Sequence, residues 1–316
     1  MKPRHVFIGG LHRSGTTLLA NLLANHPEAT GLVDTGVSKD EGQHLQCIYL
    51  PDNELGGVGY FGFHPAAYLD ETSSLVSNSS RAALLEAWTP YWASSGRAFL
   101  VEKSPGNMLR TRFLQALFPE ALFVIVRRHP VAVALACNKW VGLRLSTHLL
   151  HWINCYRVWE KDRAHINHAI DVRYEDLVDN LRGTLNAIFD AMGTAGGLGT
   201  DRIPNLSNLN EPYFTSYATS SFDPLVGFYH DYLDFRYGKA VRHLGYRLKD
   251  ARRSLKADGP QANKLRRMMK GPSFPARLLV RYWLSCRRRI HGRSRAKFGI
   301  GSAKPSGRQN RLQKSR

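Results

Sequence analysis

Short apolar runs that alternate with helical patterns constrain the fold of this chain more than any other feature. Residues 6–8, 99–101 and 122–126 are uninterrupted apolar runs, and a weaker run covers residues 170–172. Apolar residues at helical spacing follow these runs. Apolar strands that alternate with helices are typical of a parallel sheet that is covered on both faces. The sequence therefore predicts an α/β fold, a three-layer sandwich with a central parallel sheet.

The chain between the first helix and residue 80 has no such pattern. The first helix is predicted to stop at Pro27, and a stretch rich in Gly, Tyr and Phe follows it. A long loop in a compact domain is usually functional. Further helices are predicted over residues 81–93, 147–166 and 177–192.

The excess positive charge is confined to the last part of the chain. Of 44 Lys and Arg residues, 20 lie in residues 251–316, together with a single acid, Asp258. Residues 1–250 contain the other 24 bases and 24 of the 25 acids, so the net charge of +19 belongs to the last part alone. We predict one large domain over residues 1–250 and a basic tail over residues 251–316. Because the body is neutral, a nucleic-acid partner is not predicted.

Apolar runs and cysteine spacing bear on the cellular compartment. The longest uninterrupted apolar run has seven residues, 131–137, whereas a membrane-spanning helix needs roughly 20. The run at residues 6–8 is too short for the apolar part of a signal peptide. The four cysteines lie far apart without CxxC spacing, so neither a disulfide framework nor a zinc site is predicted. These features predict a cytoplasmic protein.

The strongest motif lies between the first strand and the first helix. Its sequence, Gly10-Leu-His-Arg-Ser-Gly15-Thr16-Thr17, has the GxxxxG frame of a loop whose N–H groups hold phosphate oxygens. Nucleoside triphosphatases have a Lys after this frame that serves the phosphates beside Mg²⁺. This chain has Thr16 there and Arg13 inside the loop, which favours a donor with a shorter anionic chain. An ordinary glycine-rich turn is the alternative.

Three further motifs follow the other predicted strands. Lys103 lies in Glu-Lys-Ser-Pro after the second run, Arg127 and Arg128 follow the third, and Tyr174 begins Tyr-Glu-Asp-Leu after the fourth. Ligands of open α/β sheets bind at the carboxyl ends of the strands, so these side chains are predicted to converge. Adjacent arginines there suit a second phosphate. Taken singly, Lys103 fits a solvated loop better, the arginines also fit surface ion pairs, and Tyr-Glu-Asp-Leu also fits an acidic helix start.

Together and in this order, the four motifs resemble the sulfotransferases that use 3′-phosphoadenosine 5′-phosphosulfate (PAPS). The nearest resemblance is to bacterial enzymes related to the protein-tyrosine and glycan sulfotransferases, and it covers residues 4–248. It implies a P-loop NTPase-like sulfotransferase fold, PAPS as the donor, 3′,5′-ADP as the product and no metal. It also implies that Arg128 binds the 3′-phosphate, that Tyr174 lies near the nucleotide and that Lys103 contacts the bridging oxygen. The resemblance assigns the 5′-phosphosulfate to Arg13, Ser14, Gly15, Thr16 and Thr17.

One position departs from the family pattern. The family usually has a Ser eight residues after the 3′-phosphate Arg, where this chain has Ala136. One hydrogen bond to the 3′-phosphate is therefore missing or comes from elsewhere, with Lys139 as a candidate.

Sulfuryl transfer explains why these residue types are needed. Negative charge grows on the leaving oxygen, and by analogy with phosphoryl transfer, positioned cations stabilise it. Arg13 and Lys103 are predicted to supply them. The acceptor hydroxyl must also lose its proton to a carboxylate or His, and relatives place an acid in the loop after the first helix. Among Asp34, Asp40 and Glu41, we favour Glu41 because it leads into the long aromatic loop; a solvated acidic turn is the alternative.

Residues 275–290 of the tail are predicted to form an amphipathic helix, and the rest of the tail is predicted to be disordered. Such a helix can lie on an anionic membrane, or its apolar face can dock on the body. We hypothesise that the tail attaches the protein peripherally to the inner face of the membrane or captures acidic acceptors. The apolar sector comprises Leu278, Leu279, Tyr282, Trp283, Cys286 and Ile290.

Three functions fit parts of the sequence. The leading one is a PAPS-dependent sulfotransferase of the EC 2.8.2 type that acts on a hydroxyl of a glycan, a lipid or a small metabolite. Residues 43–75 and 204–235 are expected to choose that acceptor. The alternative is a P-loop kinase of small molecules, against which the missing Lys speaks. A nucleic-acid binder led by the tail is the third, and the neutral body speaks against it.

Overall fold

A five-stranded parallel sheet forms the centre of the computed structural model, which describes residues 3–92, 96–194 and 208–253. The strand order is β2-β3-β1-β4-β5, and every neighbouring pair is parallel. The central strand is β1, whose apolar residues are fully buried, as an uninterrupted apolar run requires. The strands are β1 (Arg4–Gly9), β2 (Ala29–Gly31), β3 (Phe99–Lys103), β4 (Leu122–Arg127) and β5 (Ala169–Arg173).

Helices connect the strands and complete the domain after β5. The described helices are α1 (Thr16–Ala24), α2 (Asn78–Trp88), α3 (Thr111–Leu117), α4 (Pro130–Cys137), α5 (Leu145–Asp162), α6 (Tyr174–Asp179), α7 (Leu181–Met192), α8 (Glu211–Ser220), α9 (Pro224–His243) and α10 (Asp250–Arg253).

Side chains of the strands alternate between two apolar cores. Phe7 of β1 packs in a core with residues of α2, α3 and α5. Its neighbours Val6 and Ile8 pack in the other core, with residues of α1 and α7. Because successive side chains of a strand point to opposite faces, both faces of the sheet are covered by helices. This arrangement confirms the predicted three-layer α/β sandwich.

Helix boundaries differ from the prediction where the backbone interrupts a periodic pattern. The pattern over residues 177–192 forms two helices, because Asn180 leaves the helical conformation (φ −137°, ψ 64°). Its side chain then caps α7 by accepting a hydrogen bond from the Gly183 N–H. The helix predicted over residues 81–93 ends at Trp88, and Pro90 follows in a 3₁₀ turn.

The long segment between β2 and α2 contains only short 3₁₀ turns and irregular backbone. It lies at the edge of the sheet where the strands end, and it provides several residues of the site described below. The packed body continues to the last described residues, where Ala251 is fully buried. The predicted tail helix at residues 275–290 lies outside the described residues. No helix in the described ranges is long and apolar enough to cross a membrane.

Candidate active site

The loop between β1 and α1 is shaped by two glycines that pack too closely for any side chain. Gly10 (φ 143°) and Gly15 (φ 105°) have left-handed backbone conformations. A Cβ on Gly10 would lie 2.4 Å from the Val126 carbonyl oxygen, and one on Gly15 would lie 2.7 Å from the Tyr174 ring. The GxxxxG frame thus places the first turn of α1 directly against the ends of β4 and β5.

Side chains of this loop point in two directions. Ser14 is buried, and its hydroxyl donates a 2.6 Å hydrogen bond to the Leu11 carbonyl, so it stabilises the loop from within. Arg13 is exposed, and its guanidinium lies 5.0 Å from the centre of the Trp140 ring. Arg13, Thr16 and Thr17 line the adjacent cleft, whereas Ser14 does not.

The cleft has a volume of about 770 Å³ and lies at the carboxyl ends of the strands. All of the site residues predicted from the sequence line the cleft, except Ser14 and Lys103. Its walls are formed by His12, Arg13, Gly15, Thr16, Thr17, Leu18, Ser38, Lys39, Glu41, His44, Asp52, Asn53, Gly57, Val58, Pro105, Arg128, Trp140, Tyr174, Val178 and Leu209.

Arg128 lines this cleft, and its guanidinium is held by two hydrogen bonds. Its Nε donates to the Asn210 Oδ1 at 2.7 Å and its Nη1 to the Arg13 carbonyl at 2.9 Å. The guanidinium stacks on the Tyr174 ring at 4.1 Å. Its Nη2 is buried and has no hydrogen-bond partner within the described residues. A buried cation that keeps one donor free is suited to an anionic ligand.

Arg127, the other member of the arginine pair, faces away from this site. Its guanidinium donates to the Glu160 carboxylate at 2.6 Å and to the Leu244 carbonyl at 3.1 Å. The pair expected to bind one phosphate together is therefore divided, because adjacent side chains of a strand point to opposite faces of the sheet.

Asn210 and Glu175 hold Arg128 in place, and sequence reasoning missed both roles. The Asn210 amide bridges Arg128 and Glu175, since its Nδ2 donates to the Glu175 Oε1 at 2.7 Å. Glu175 also accepts hydrogen bonds from the His129 N–H and the Tyr246 hydroxyl. Glu175 belongs to the quoted Tyr-Glu-Asp-Leu motif, whereas no pattern around Asn210 marks it.

The Ser missing from the family pattern is not replaced within the helix. Ala136 is buried in α4 and offers no hydrogen bond. Lys139, the suggested substitute, is exposed, and its ammonium lies 4.9 Å from the centre of the Tyr213 ring. Lys139 does not line the cleft.

A buried ion pair joins Lys103 to Glu41. The Lys103 Nζ lies at the end of β3 and donates to the Glu41 Oε1 at 2.8 Å and to the Lys39 carbonyl at 3.2 Å. Both side chains are less than a tenth exposed. Glu41 lines the cleft, whereas Lys103 lies behind it. The structure thus brings together the residues predicted as general base and catalytic cation, although 62 positions separate them in the chain.

The second oxygen of Glu41 is held by polar neighbours. Its Oε2 accepts a 2.8 Å hydrogen bond from the Gln43 amide and lies 3.6 Å from the His44 Nε2. Burial acts to raise the pKa of Glu41, but the His44 hydrogen bond and the Lys103 charge outweigh it and lower the pKa. The same contact raises the pKa of His44 above its ordinary value. Glu41 is consequently ionised at neutral pH.

Three consecutive residues at the end of β3 form hydrogen bonds with three consecutive residues of the segment between β2 and α2. While Lys103 binds the Glu41 side chain, the Gly42 N–H donates to the Glu102 Oε1 at 2.9 Å and the Gln43 N–H to the Ser104 hydroxyl at 3.0 Å. We call residues 102–104 and 41–43 the β3 clamp. It fixes the backbone on both sides of the Glu41 carboxylate.

Glu102 is the buried centre of the β3 clamp. Besides Gly42, it accepts hydrogen bonds from the Ser104 hydroxyl at 2.6 Å and the Asn107 amide at 2.5 Å. Burial raises its pKa despite these bonds. Gly42 is required there, because a Cβ would lie 2.7 Å from the Glu102 Cγ and 2.8 Å from the Trp88 Nε1.

The other two acids of the loop have different surroundings. Asp40 accepts hydrogen bonds from the Thr35 N–H at 3.1 Å and the Thr35 hydroxyl at 2.6 Å, so it shapes the turn. Asp34 is exposed and has a left-handed backbone (φ 53°). Neither lines the cleft, whereas Glu41 does.

A second acid faces the cleft beside Glu41. The His12 Nε2 lies 3.0 Å from the Asp52 Oδ2, and this contact lowers the pKa of Asp52 although burial acts to raise it. Ligand atoms of Glu41, His44 and Asp52 lie within 4.8 Å of one another, a spacing that could hold a metal ion. One oxygen of Glu41 is already bound by Lys103, and one oxygen of Asp52 already lies against His12. His12 stands inside the phosphate-loop motif, but nothing in the irregular segment that follows α1 marks His44 or Asp52.

Residues 3–195, more than half of the chain, match a family described as the sulfotransferase family. Nodulation protein NoeE of Sinorhizobium fredii is 28% identical over 142 residues, which are 45% of this chain and 32% of that protein. The chain thus spans about a third of the length of this curated relative.

Two solved structures are similar as well. The sulfotransferase domain of the Synechococcus PCC 7002 olefin synthase is 20% identical, with coverage of 66% of this chain and 78% of that chain and a TM-score of 0.41. A sulfotransferase from Mycobacterium avium is 14% identical, with coverage of 63% and 66% and a TM-score of 0.44.

Proposed function

The chain belongs to the sulfotransferase family, and we propose that it transfers a sulfuryl group from PAPS to an acceptor hydroxyl. One observation carries the proposal. A single cleft is lined by a glycine-framed phosphate loop, by Arg128, whose buried Nη2 has no hydrogen-bond partner within the described residues, and by the Glu41 carboxylate, which is paired with Lys103. These are the parts that an anionic donor and a hydroxyl acceptor require.

In this proposal, the donor lies along the carboxyl edge of the sheet. The N–H groups of the loop and of the first turn of α1 hold the 5′-phosphosulfate, with Thr16 and Thr17 beside it. The Nη2 of Arg128 binds the 3′-phosphate. The Tyr174 ring, which packs on Gly15 and Arg128, forms the wall beside the nucleotide.

The reaction forms a bond between the acceptor oxygen and sulfur and breaks the bond between sulfur and the 5′-phosphate oxygen. The Glu41 carboxylate takes the acceptor proton. Arg13 and Lys103 stabilise the charge that develops on the departing phosphate oxygen. When Lys103 transfers its hydrogen bond from Glu41 to the donor, the same movement frees a Glu41 oxygen for the proton. The scheme uses no metal, because these cations take the part that Mg²⁺ plays in phosphoryl transfer.

The acceptor side is proposed to be the segment that carries Glu41, His44 and Asp52. These groups suit an acceptor with several hydroxyls, whether a glycan, a lipid or a small metabolite. We also propose a cytoplasmic location, which the free thiols of Cys47, Cys137 and Cys155 support. The basic tail is proposed to attach the enzyme to an anionic membrane or to capture acidic acceptors.

Donor identity can be tested without knowing the acceptor. In a thermal-shift titration, 3′,5′-ADP should stabilise the protein, whereas an oligonucleotide should not. Stabilisation by ATP·Mg²⁺ alone would favour the small-molecule kinase and overturn the proposal.

Arg128→Lys refines this test, because Lys cannot keep three nitrogens in the same fork. The loss of one charge-assisted hydrogen bond, about 1.5–3 kcal/mol, should weaken 3′,5′-ADP binding roughly 10- to 150-fold. Binding of 5′-AMP, which lacks the 3′-phosphate, should change little. Equal losses for both nucleotides in calorimetry would remove Arg128 from the 3′-phosphate.

Glu41→Gln tests the base. With PAPS binding intact, turnover should fall roughly 10²- to 10⁴-fold, the usual contribution of a general base. Asp34→Asn is the matched control in the same loop. Unchanged turnover in Glu41→Gln would exclude this carboxylate as the base.

A further inference from the structure

The helix α9 carries a row of exposed apolar side chains on one side. Leu225, Phe228 and Phe235 are 76%, 75% and 87% exposed, and Tyr232 is also exposed. At 100° per residue, the four fall within a sector of about 80°. We call them the α9 stripe. Exposed large side chains that lie together in this way mark an interaction surface.

The remaining sides of α9 anchor the helix to the body. Leu233 and Val241 are fully buried. The Tyr229 hydroxyl accepts a hydrogen bond from the Ser146 N–H at the start of α5. These contacts hold the helix without Leu225, Phe228 or Phe235, while the Tyr232 ring of the α9 stripe stacks beside the Tyr229 ring.

Cations continue the same side of α9 towards its C-terminus. Arg236, Lys239 and Arg242 are exposed, and at 100° per residue they fall in or next to the sector of the α9 stripe. No ion pair joins them to a carboxylate within the described residues. Two turns of unpaired cations thus adjoin three turns of apolar side chains.

The acids of α9 are already engaged. Asp231 pairs with Arg252 at 2.6 Å, and Asp234 pairs with Lys249 at 3.4 Å. A second copy of this surface would therefore bring no free carboxylate to the three cations. An anionic lipid surface satisfies both halves of the helix, because its phosphates bind the cations and its acyl boundary accepts the aromatic rings.

We propose that this side of α9 docks the body of the protein on an anionic membrane. The helix lies in the plane of the interface, with the α9 stripe in the headgroup boundary and Arg236, Lys239 and Arg242 on the lipid phosphates. The surface belongs to the folded body and is separate from the basic tail.

Vesicle flotation of the full-length protein tests the proposal. The tail also attracts anionic lipid, so the first comparison is made at about 0.5 M NaCl, where separated charges are screened within several Å. On vesicles of phosphatidylcholine with phosphatidylglycerol, the variant F228S/F235S should partition at least roughly tenfold more weakly than the unmodified chain. The control V33S/L150S, which removes two exposed apolar side chains elsewhere, should bind unchanged.

At low salt, R236Q/K239Q/R242Q should weaken binding to the anionic vesicles and leave binding to pure phosphatidylcholine unchanged. Unfolding midpoints of F228S/F235S and R236Q/K239Q/R242Q should match the unmodified protein, since the buried side of α9 is intact. Equal partitioning of F228S/F235S and the unmodified chain would overturn the proposal. So would light scattering that shows a dimer which F228S/F235S converts to a monomer, because a second copy would then cover the stripe.

Discussion

The ion pair between Lys103 and Glu41 should be visible as a coupling energy in unfolding experiments. At 2.8 Å, two unit charges attract each other by about 6 kcal/mol at an effective dielectric constant of 20, and the loss of hydration on burial offsets part of this. Removing one partner of a buried pair costs about 3–5 kcal/mol. Glu41→Gln should lie near the lower limit, because the Lys39 carbonyl still accepts a hydrogen bond from Lys103.

Lys103→Met should cost somewhat less, about 2 kcal/mol, because Gln43 and His44 still stabilise the Glu41 carboxylate. The double variant should lose about 2–3 kcal/mol rather than the sum, which gives a coupling energy of about 2–3 kcal/mol. Equilibrium urea unfolding at pH 7, followed by tryptophan fluorescence, measures all three values.

The control for this cycle is Asp34→Asn. Asp34 is exposed, and Asn tolerates its left-handed backbone, so the change in the free energy of unfolding should stay within about 0.5 kcal/mol.

Because the pKa of Glu41 is lowered on folding, its contribution to stability is complete above the ordinary value of 4.5 and is lost as the pH falls below it. A coupling energy below about 0.5 kcal/mol would refute the interaction.

Two further predictions concern the same loop. Gly42→Ala should destabilise the protein by about 1–3 kcal/mol, because its Cβ would overlap Glu102 and Trp88; an unchanged urea midpoint would mean that the β3 clamp does not hold this backbone. In Glu41→Gln, the pKa of His44 should fall towards or below its ordinary 6.5 in an NMR titration, because the hydrogen bond to Glu41 is what raises it. The stability that this raised pKa provides is complete below pH 6.5 and is lost as the pH rises through the folded-state value, so this alkaline loss should vanish in the variant.

The sheet could be predicted because its signal is local. The short uninterrupted apolar run at residues 122–126 indicates a strand buried on both faces, and three of the five strands contain such a run. The edge strand β2 has three residues and no pattern of its own. The break at Asn180 was missed because one residue that leaves the helix does not disturb the apolar spacing.

The site could be predicted as far as parallel strands bring their ends together. Arg13, Arg128 and Tyr174 each follow a strand, so their convergence follows from the topology. Asn210 belongs to a helix beyond the sheet, where no strand register fixes its place. His44 and Asp52 lie in irregular backbone, whose path depends on the β3 clamp rather than on local propensity.

The β3 clamp joins two walls of the cleft that could vary independently among related chains. The ends of β1, β4 and β5 form one wall of the cleft, while the segment between β2 and α2 forms another. That segment is tied to β3 through residues 41–43 and packs Tyr49, Leu55 and Phe61 into the core. A chain with a different segment could keep the first wall unchanged, provided that the new segment kept Gly at position 42, a carboxylate before it and apolar side chains at the buried core positions. The segment that faces the acceptor could then vary among related chains while the donor side stayed the same. Position 42 would tolerate less variation than the rest of the segment.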